Sequence, residues 1–194
     1  LDMTLVPDFG QVVADNQVLN LSPFEVQFQE NRPFFTEGTE LFNIAGIFYS
    51  RRVGGRPRNF YSVYDSLQTG DSIVENPGRT KLLNAVKISG RTKKKTGIAV
   101  FNAITSASEA VILNGEDRRE ITTQPFTNYN VFVVDQTFRS NSFLSLINTN
   151  LAEVRGYMAN TTAMRFKLSD TENKWFVRGS AAMSQKWQDI KTDR

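Results

Sequence analysis

The run Thr162-Ala163-Met164-Arg165-Phe166-Lys167-Leu168, followed across Ser169-Asp170-Thr171-Glu172-Asn173 by Lys174-Trp175-Phe176-Val177-Arg178-Gly179-Ser180-Ala181-Ala182-Met183-Ser184, alternates residue by residue. Met164, Phe166 and Leu168 share one side, with Arg165 and Lys167 on the other. On the second arm Trp175, Val177, Gly179, Ala181 and Met183 alternate with Phe176, Arg178, Ser180 and Ala182. Side chains of a β-strand point alternately to opposite faces, so this stretch reads as a hairpin with one apolar and one more polar face.

The same period of two recurs upstream. Leu82 to Arg91 and Ile98 to Thr105 are strand-like runs separated by the polar turn Thr92-Lys93-Lys94-Lys95-Thr96-Gly97, which closes on glycine. Asn130 to Gln136 and Phe143 to Asn148 repeat the pattern across residues 137–142, with β-branched and aromatic residues dominating both arms. The fold class is therefore all-β, built from antiparallel hairpins over residues 82–194. Residues 58–81, with Gly70, Pro77 and Gly78 among polar residues, read as a loop or weak hairpin.

Alternation alone does not say what touches the apolar face. A soluble sandwich packs it against a second sheet, whereas a membrane barrel turns it to lipid and points its polar side chains into a wet lumen. Two details favour the barrel. The second arm of the last hairpin reaches the ~9–11 residues that a tilted membrane strand needs, and full charges occupy its polar side.

The first third is patterned differently. Leu1 to Val6 alternates like a strand and stops at Pro7. Ser22-Pro23-Phe24-Glu25 carries an N-cap serine, proline at the first helical position and glutamate three residues after the serine, which predicts a short helix from Pro23 to about Gln29. Asn43 to Val53 reads as a strand ended by Gly54-Gly55. Between them, Gln29-Glu30-Asn31-Arg32-Pro33-Phe34-Phe35-Thr36-Glu37-Gly38 and Phe48-Tyr49-Ser50-Arg51-Arg52 place carboxylates and guanidiniums beside paired aromatic rings.

Those residues carry a resemblance. Asp8-Phe9-Gly10-Gln11, Ala14-Asp15, the block from Asn20 to Gly54, Thr127-Asn128-Tyr129-Asn130 and Leu146-Ile147-Asn148-Thr149-Asn150 resemble the domain of unknown function 5916. That family occurs in Gram-negative outer-membrane and cell-surface proteins, usually behind a family-9 carbohydrate-binding-like module. The resemblance implies part of a larger outer-membrane β-barrel, with residues 1–57 as a lumen or plug-like segment plus strands. The chain opens on Leu1 with no initiator or export signal and reads as a fragment of one such domain. The function implied is a pore, a scaffold or a subunit of a surface nutrient-uptake or secretion assembly in the cell outer membrane. Its partners would be outer-membrane lipid and other envelope proteins or glycans. A cell-surface carbohydrate-binding or glycoside hydrolase-like protein and a soluble β-sandwich binding module remain as alternatives.

Composition narrows the chemistry. The chain of 194 residues has no Cys and no His, which removes disulfides, thiolate or imidazole nucleophile relays and zinc sites of the usual type. A net charge of +3 is too small to point to nucleic acid. No apolar run approaches the ~18 residues of a membrane helix. No cofactor, metal or catalytic residue is assigned.

Glu30, Glu37 and Glu40, with Asp8 and Asp15 upstream, are the carboxylates from which a glycosidase pair would be drawn, but loop spacing does not set the separation such a pair requires. We expect instead that Glu30 pairs with a guanidinium, Arg32, Arg51 or Arg52, and orders its segment. Adjacent strand residues face opposite sides, so Arg51 and Arg52 would not line one pocket together. Phe34, Phe35, Phe42 and Phe48-Tyr49 form either a platform for sugar rings or core packing against the barrel wall, and packing is the expectation. Lys93-Lys94-Lys95 reads as a solvated hairpin tip.

Overall fold

A computed structural model describes residues 2–5, 27–139, 141–154 and 156–188. Its strands are β1 (Asp2–Leu5), β2 (Asp71–Glu75), β3 (Leu82–Arg91), β4 (Thr96–Thr105), β5 (Ser108–Asn114), β6 (Asp117–Gln124), β7 (Thr127–Arg139), β8 (Ser142–Glu153), β9 (Met158–Ser169) and β10 (Phe176–Trp187). Seven of them form one sheet in the order β1-β3-β4-β7-β8-β9-β10, and every pairing is antiparallel. β1 and β10 are its two edges, so the described sheet is open. The all-β, hairpin-built expectation holds, and β3–β4, β7–β8 and β9–β10 are the three hairpins read from the sequence.

Their strands run further than the alternation showed. β7 continues to Arg139 and β8 starts at Ser142, so residues 137–139 and 142 of the expected turn belong to strands. In the first hairpin the left-handed residue is Lys95, with φ 63°, and Gly97 lies inside β4 rather than closing the turn. Gly97 is required by packing. A Cβ there would sit 2.8 Å from Leu41 Cδ2. Gly179 is covered in a similar way by the Phe166 ring of the neighbouring strand, which a Cβ would meet at 2.7 Å.

Cross-strand partners share a face, so the register sorts the large sheet into two surfaces. One carries Val100, Phe132, Leu146, Met164 and Val177 and is exposed. The other carries Ala85, Ala99, Phe101, Ala103, Val131, Val133, Ile147 and Ala163, all buried. We call these the outer and inner faces. Small residues dominate the inner face of β3 and β4, and residues 34–53 lie against it, contributing Phe34, Phe35, Leu41, Phe42 and Val53 to one core cluster. Phe101 is the hub, with its ring centroid 5.2–6.4 Å from those of Phe34, Phe35, Phe42 and Phe48.

The expected strand from Asn43 to Val53 does not form. Ala45 and Gly46 both adopt left-handed φ, 59° and 65°, and the segment folds into 3-10 turns at Ile44–Gly46 and Ser50–Arg52. An extended ladder cannot pass two such residues. The helix expected from Pro23 falls largely on residues outside the described set, and residues 27–29 are not helical. A single helical turn, α1 (Pro33–Thr36), begins at Pro33 instead, where proline suits the first helical position.

Residues 58–81 hold more than a loop. α2 (Ser62–Asp65) precedes β2, and β2 pairs with β5 of a hairpin inserted between β4 and β7. Val63, Ala110 and Ile112, flanked by Ile73 and Ile121, give this three-stranded sheet its own small core, and an Arg119–Asp71 ion pair ties β6 to β2.

Phe101 is 2% exposed beneath four aromatic rings. Phe101→Ala should therefore cost ~3–5 kcal/mol in unfolding free energy, whereas Phe101→Leu, which keeps most of the side-chain volume but loses the ring contacts, should cost clearly less. Denaturant titration checks both. Equal, small losses would mean that residues 34–53 do not pack on this face.

Candidate functional site

The charged and aromatic residues singled out in the sequence converge on the inner segment. Arg32 is the centre. Its Nε and Nη2 donate to Glu30 Oε1 and Oε2, each at 2.8 Å, forming a bidentate fork. The Arg32 backbone N–H adds a bond to Glu30 Oε1 at 3.1 Å, and Ser50 Oγ donates to Glu30 Oε2 at 2.6 Å. Two of the three remaining guanidinium protons reach Val53 O at 2.7 Å and Ser50 O at 2.9 Å. The group also lies over the Phe35 ring, 4.0 Å from its centroid.

Glu30 is thus tied on both oxygens. Burial by itself would raise its pKa, but hydrogen bonds from Arg32 and Ser50 and the Arg32 charge outweigh it and lower the value from 4.5 to about 2. A carboxylate held ionised in this way cannot donate a proton near neutral pH, so Glu30 is unsuited to the acid role in glycoside hydrolysis. Its geometry is that of a fastener. Arg32 accounts for the missing strand as well, because the carbonyls of Ser50 and Val53 bond to a guanidinium rather than to a neighbouring strand.

The other residues have distinct placements. Arg51 lies 3.8 Å from Glu30 and donates from Nε to the Gln29 carbonyl at 3.0 Å. Arg52 is exposed, with its guanidinium 6.0 Å from the Tyr49 ring centroid. Phe34 and Phe35 meet edge to face at 4.9 Å and are buried, so they form core rather than an open sugar platform. Glu37 and Glu40 have exposed side chains. Asp8 and Asp15 lie outside the described residues. A cavity of ≈ 30 Å³ lined by Phe35, Thr39, Phe42, Asn43, Phe48, Ser50, Lys87 and Phe101 has room for water only.

Sequence reasoning missed the groups that fasten this segment to the wall. Lys87 on β3 is buried and donates to the carbonyl of Phe34 at 2.6 Å and to that of Glu37. Ser89 donates to Gly38 O at 3.3 Å. At the far end of the segment Arg58 grips Glu153 of β8, with Nη2 2.7 Å from Oε2, and rests over the Tyr157 ring at 4.1 Å. On the inner face Asp135 accepts from Arg91 and from Ser145 Oγ, each at 2.6 Å. One signal was legible: Lys87 is a lone charge in the alternating run Ala85-Val86-Lys87-Ile88-Ser89. The partners of Arg58 and Asp135 are 95 and 44 residues away and left no local trace.

The fold and this site together define an antiparallel β-sheet protein with an arginine-fastened N-terminal segment on one face of its main sheet. A family model described as "Domain of unknown function (DUF5916)" matches residues 1–194, and the chain belongs to that family. Searches of curated proteins and of solved structures returned no match.

Removing Arg32 leaves Glu30 charged and stripped of its fork. Arg32→Ala should destabilise by roughly 2–4 kcal/mol, below the ~3–5 kcal/mol of a fully buried pair because both side chains keep some exposure. Arg32→Ala and Glu30→Gln should be non-additive in a double-mutant cycle. Since the Glu30 pKa is lower in the folded state, its contribution is complete above pH 4.5 and is lost as pH falls towards about 2. Glu30→Gln should therefore flatten the stability profile within that window. A profile unchanged by Glu30→Gln would contradict the fastener geometry.

Proposed function

We propose that this chain forms a run of wall strands in an outer-membrane β-barrel, with residues 27–57 inside the lumen, narrowing it, and outer-membrane lipid against the outer face. The assembly is a surface uptake or secretion component rather than a wide open pore. The observation that carries this reading is the polarity of the sheet. Its continuous exposed face is apolar, while the opposite face at β9 and β10 bears exposed Arg165 and Arg178 with half-buried Lys167. That is the reverse of a sheet that rests on a protein core and meets water outside.

Three features of the outer face support lipid as its occupant. The six strands β3, β4 and β7–β10 are 10–13 residues long, the length of tilted membrane strands. The apolar run also shifts along the strands. It begins at Val100 and Phe132, which are direct partners, but at Leu146 and Met164 on β8 and β9, two residues nearer the hairpin turns. A flat slab crossing tilted strands produces such a stagger. Beyond the run stands a row of cross-strand asparagines, Asn102, Asn130, Asn150 and Asn160, as a polar border.

The two tryptophans stand outside this band, Trp175 at the hairpin-turn end and Trp187 beyond the asparagine row, opposite Met158. Trp175 precedes β10 and Trp187 ends it, and both are exposed. Twelve residues at ~3.3 Å each, inclined by ~40°, separate them by about 30 Å across the membrane, which spans the apolar run together with its asparagine border. Tryptophan favours the two interfaces of a bilayer.

Leu144→Arg, two residues further into the apolar run than Leu146, should cost ~2–4 kcal/mol in folding into lipid vesicles, and Arg165→Ser should be mild. Equal costs on both faces, or a well-dispersed monomer with cooperative unfolding in detergent-free buffer, would overturn the reading.

A further inference from the structure

From the inner face of β9 and β10 we infer an anion-binding strip formed by Arg165, Lys167 and Arg178, suited to a small doubly charged oxyanion of the phosphate type. Lys167 and Arg178 are direct cross-strand partners, and Arg165 stands two residues from Lys167 on the same face, opposite Ser180. Like charges set directly opposite one another repel, so this arrangement is unfavourable unless an anion neutralises it.

Among the described residues no carboxylate does so. The acids closest to the strip along these strands are engaged elsewhere, Asp135 with Arg91, Glu172 at the β9–β10 turn with Lys174, and Asp170 with the Trp175 backbone N–H. The cations lean instead on rings. Lys167 Nζ lies 5.0 Å from the Phe176 centroid and the Arg165 guanidinium 6.0 Å from that of Phe143. Ring contact orients a cation without cancelling its charge. Arg165 and Arg178 are exposed, and two guanidiniums with an ammonium supply both the forked and the point-charge donors that phosphate oxygens accept.

The barrel reading gives the strip its use, since cationic side chains lining a lumen favour anionic solutes, and only that use rests on the reading. Binding itself needs no membrane. Two measurements therefore separate the claims. The full-length protein in detergent is titrated with inorganic phosphate at constant ionic strength in chloride, with acetate as the singly charged comparator, and its thermal midpoint is followed. We expect a saturable rise with phosphate in the millimolar range and a weaker one with acetate. Lys167→Gln and Arg178→Gln should each weaken the phosphate response at least tenfold, whereas Lys94→Gln at the exposed turn should not. Without phosphate, Lys167→Gln should match or exceed the wild-type midpoint, because it relieves repulsion.

No phosphate-specific rise, an equal loss with Lys94→Gln, or a Lys167→Gln variant less stable than wild type would overturn the strip, the last by revealing a carboxylate partner within the protein. The second measurement is the reversal potential of the reconstituted protein in a potassium chloride gradient. Anion preference that falls in Arg178→Gln supports both claims. A silent bilayer with an intact phosphate response retires conduction and leaves the strip standing.

Discussion

Everything in this protein depends on one sheet having to satisfy two different surroundings at a spacing of one residue. A strand cannot rotate one side chain to the other face without carrying its neighbours along, so the register that buries Phe101 and Val133 also exposes Val100 and Phe132. The inner face meets this constraint with small residues. Ala85, Ala99, Ala103 and Gly97 leave the backbone nearly bare, and the aromatic side chains of residues 34–48 occupy that space. The outer face has no such covering among the described residues.

The inner segment is a poor candidate for regular structure, and its stability comes from elsewhere. Its helices are single turns, and few of its backbone groups pair in the way those of a strand or long helix do. Side chains fill the deficit. Arg32 bonds two carbonyls while gripping Glu30, Arg51 bonds Gln29 O, and Lys87 reaches up from the wall to two more carbonyls. Cations are effective here because each satisfies several acceptors at once, and unsatisfied buried carbonyls are costly. The same property argues against catalysis at Glu30. A group fixed in one protonation state by four donated hydrogen bonds is well built to hold and poorly built to exchange protons.

Part of this site is written in local sequence. The pairing of Glu30 with an arginine and the packing role of Phe34 and Phe35 were legible, because charge and aromatic residues crowded into ten positions leave few other arrangements. The hairpin inserted between β4 and β7 was also within reach. Asn114-Gly115 between Val111 and Ile121 is a strong hairpin signal, and Gly115 does take φ 62°. Asn43 to Val53 misled because Ile47, Phe48, Tyr49 and Val53 suit a strand by propensity, while the left-handed pair at Ala45 and Gly46 and the demand of Arg32 for carbonyls prevailed. Gly97 misled for the opposite reason. Its place after a lysine run suits a turn, but a leucine 56 positions earlier needs the space.

Local alternation and turn chemistry were enough for the all-β class, the three main hairpins and, in the last of them, the division of each arm into an apolar and a more polar side. The tertiary structure decided which apolar side is covered. Alternation is symmetric between the faces, and only the landing of residues 34–53 on β3, β4 and β7 makes one side inner and the other outer. It also decided that Arg165, Lys167 and Arg178 stand together with no carboxylate partner among the described residues, because electrostatic excess is a property of neighbours in space, and Asp135 on the same face is held by an arginine far away along the chain.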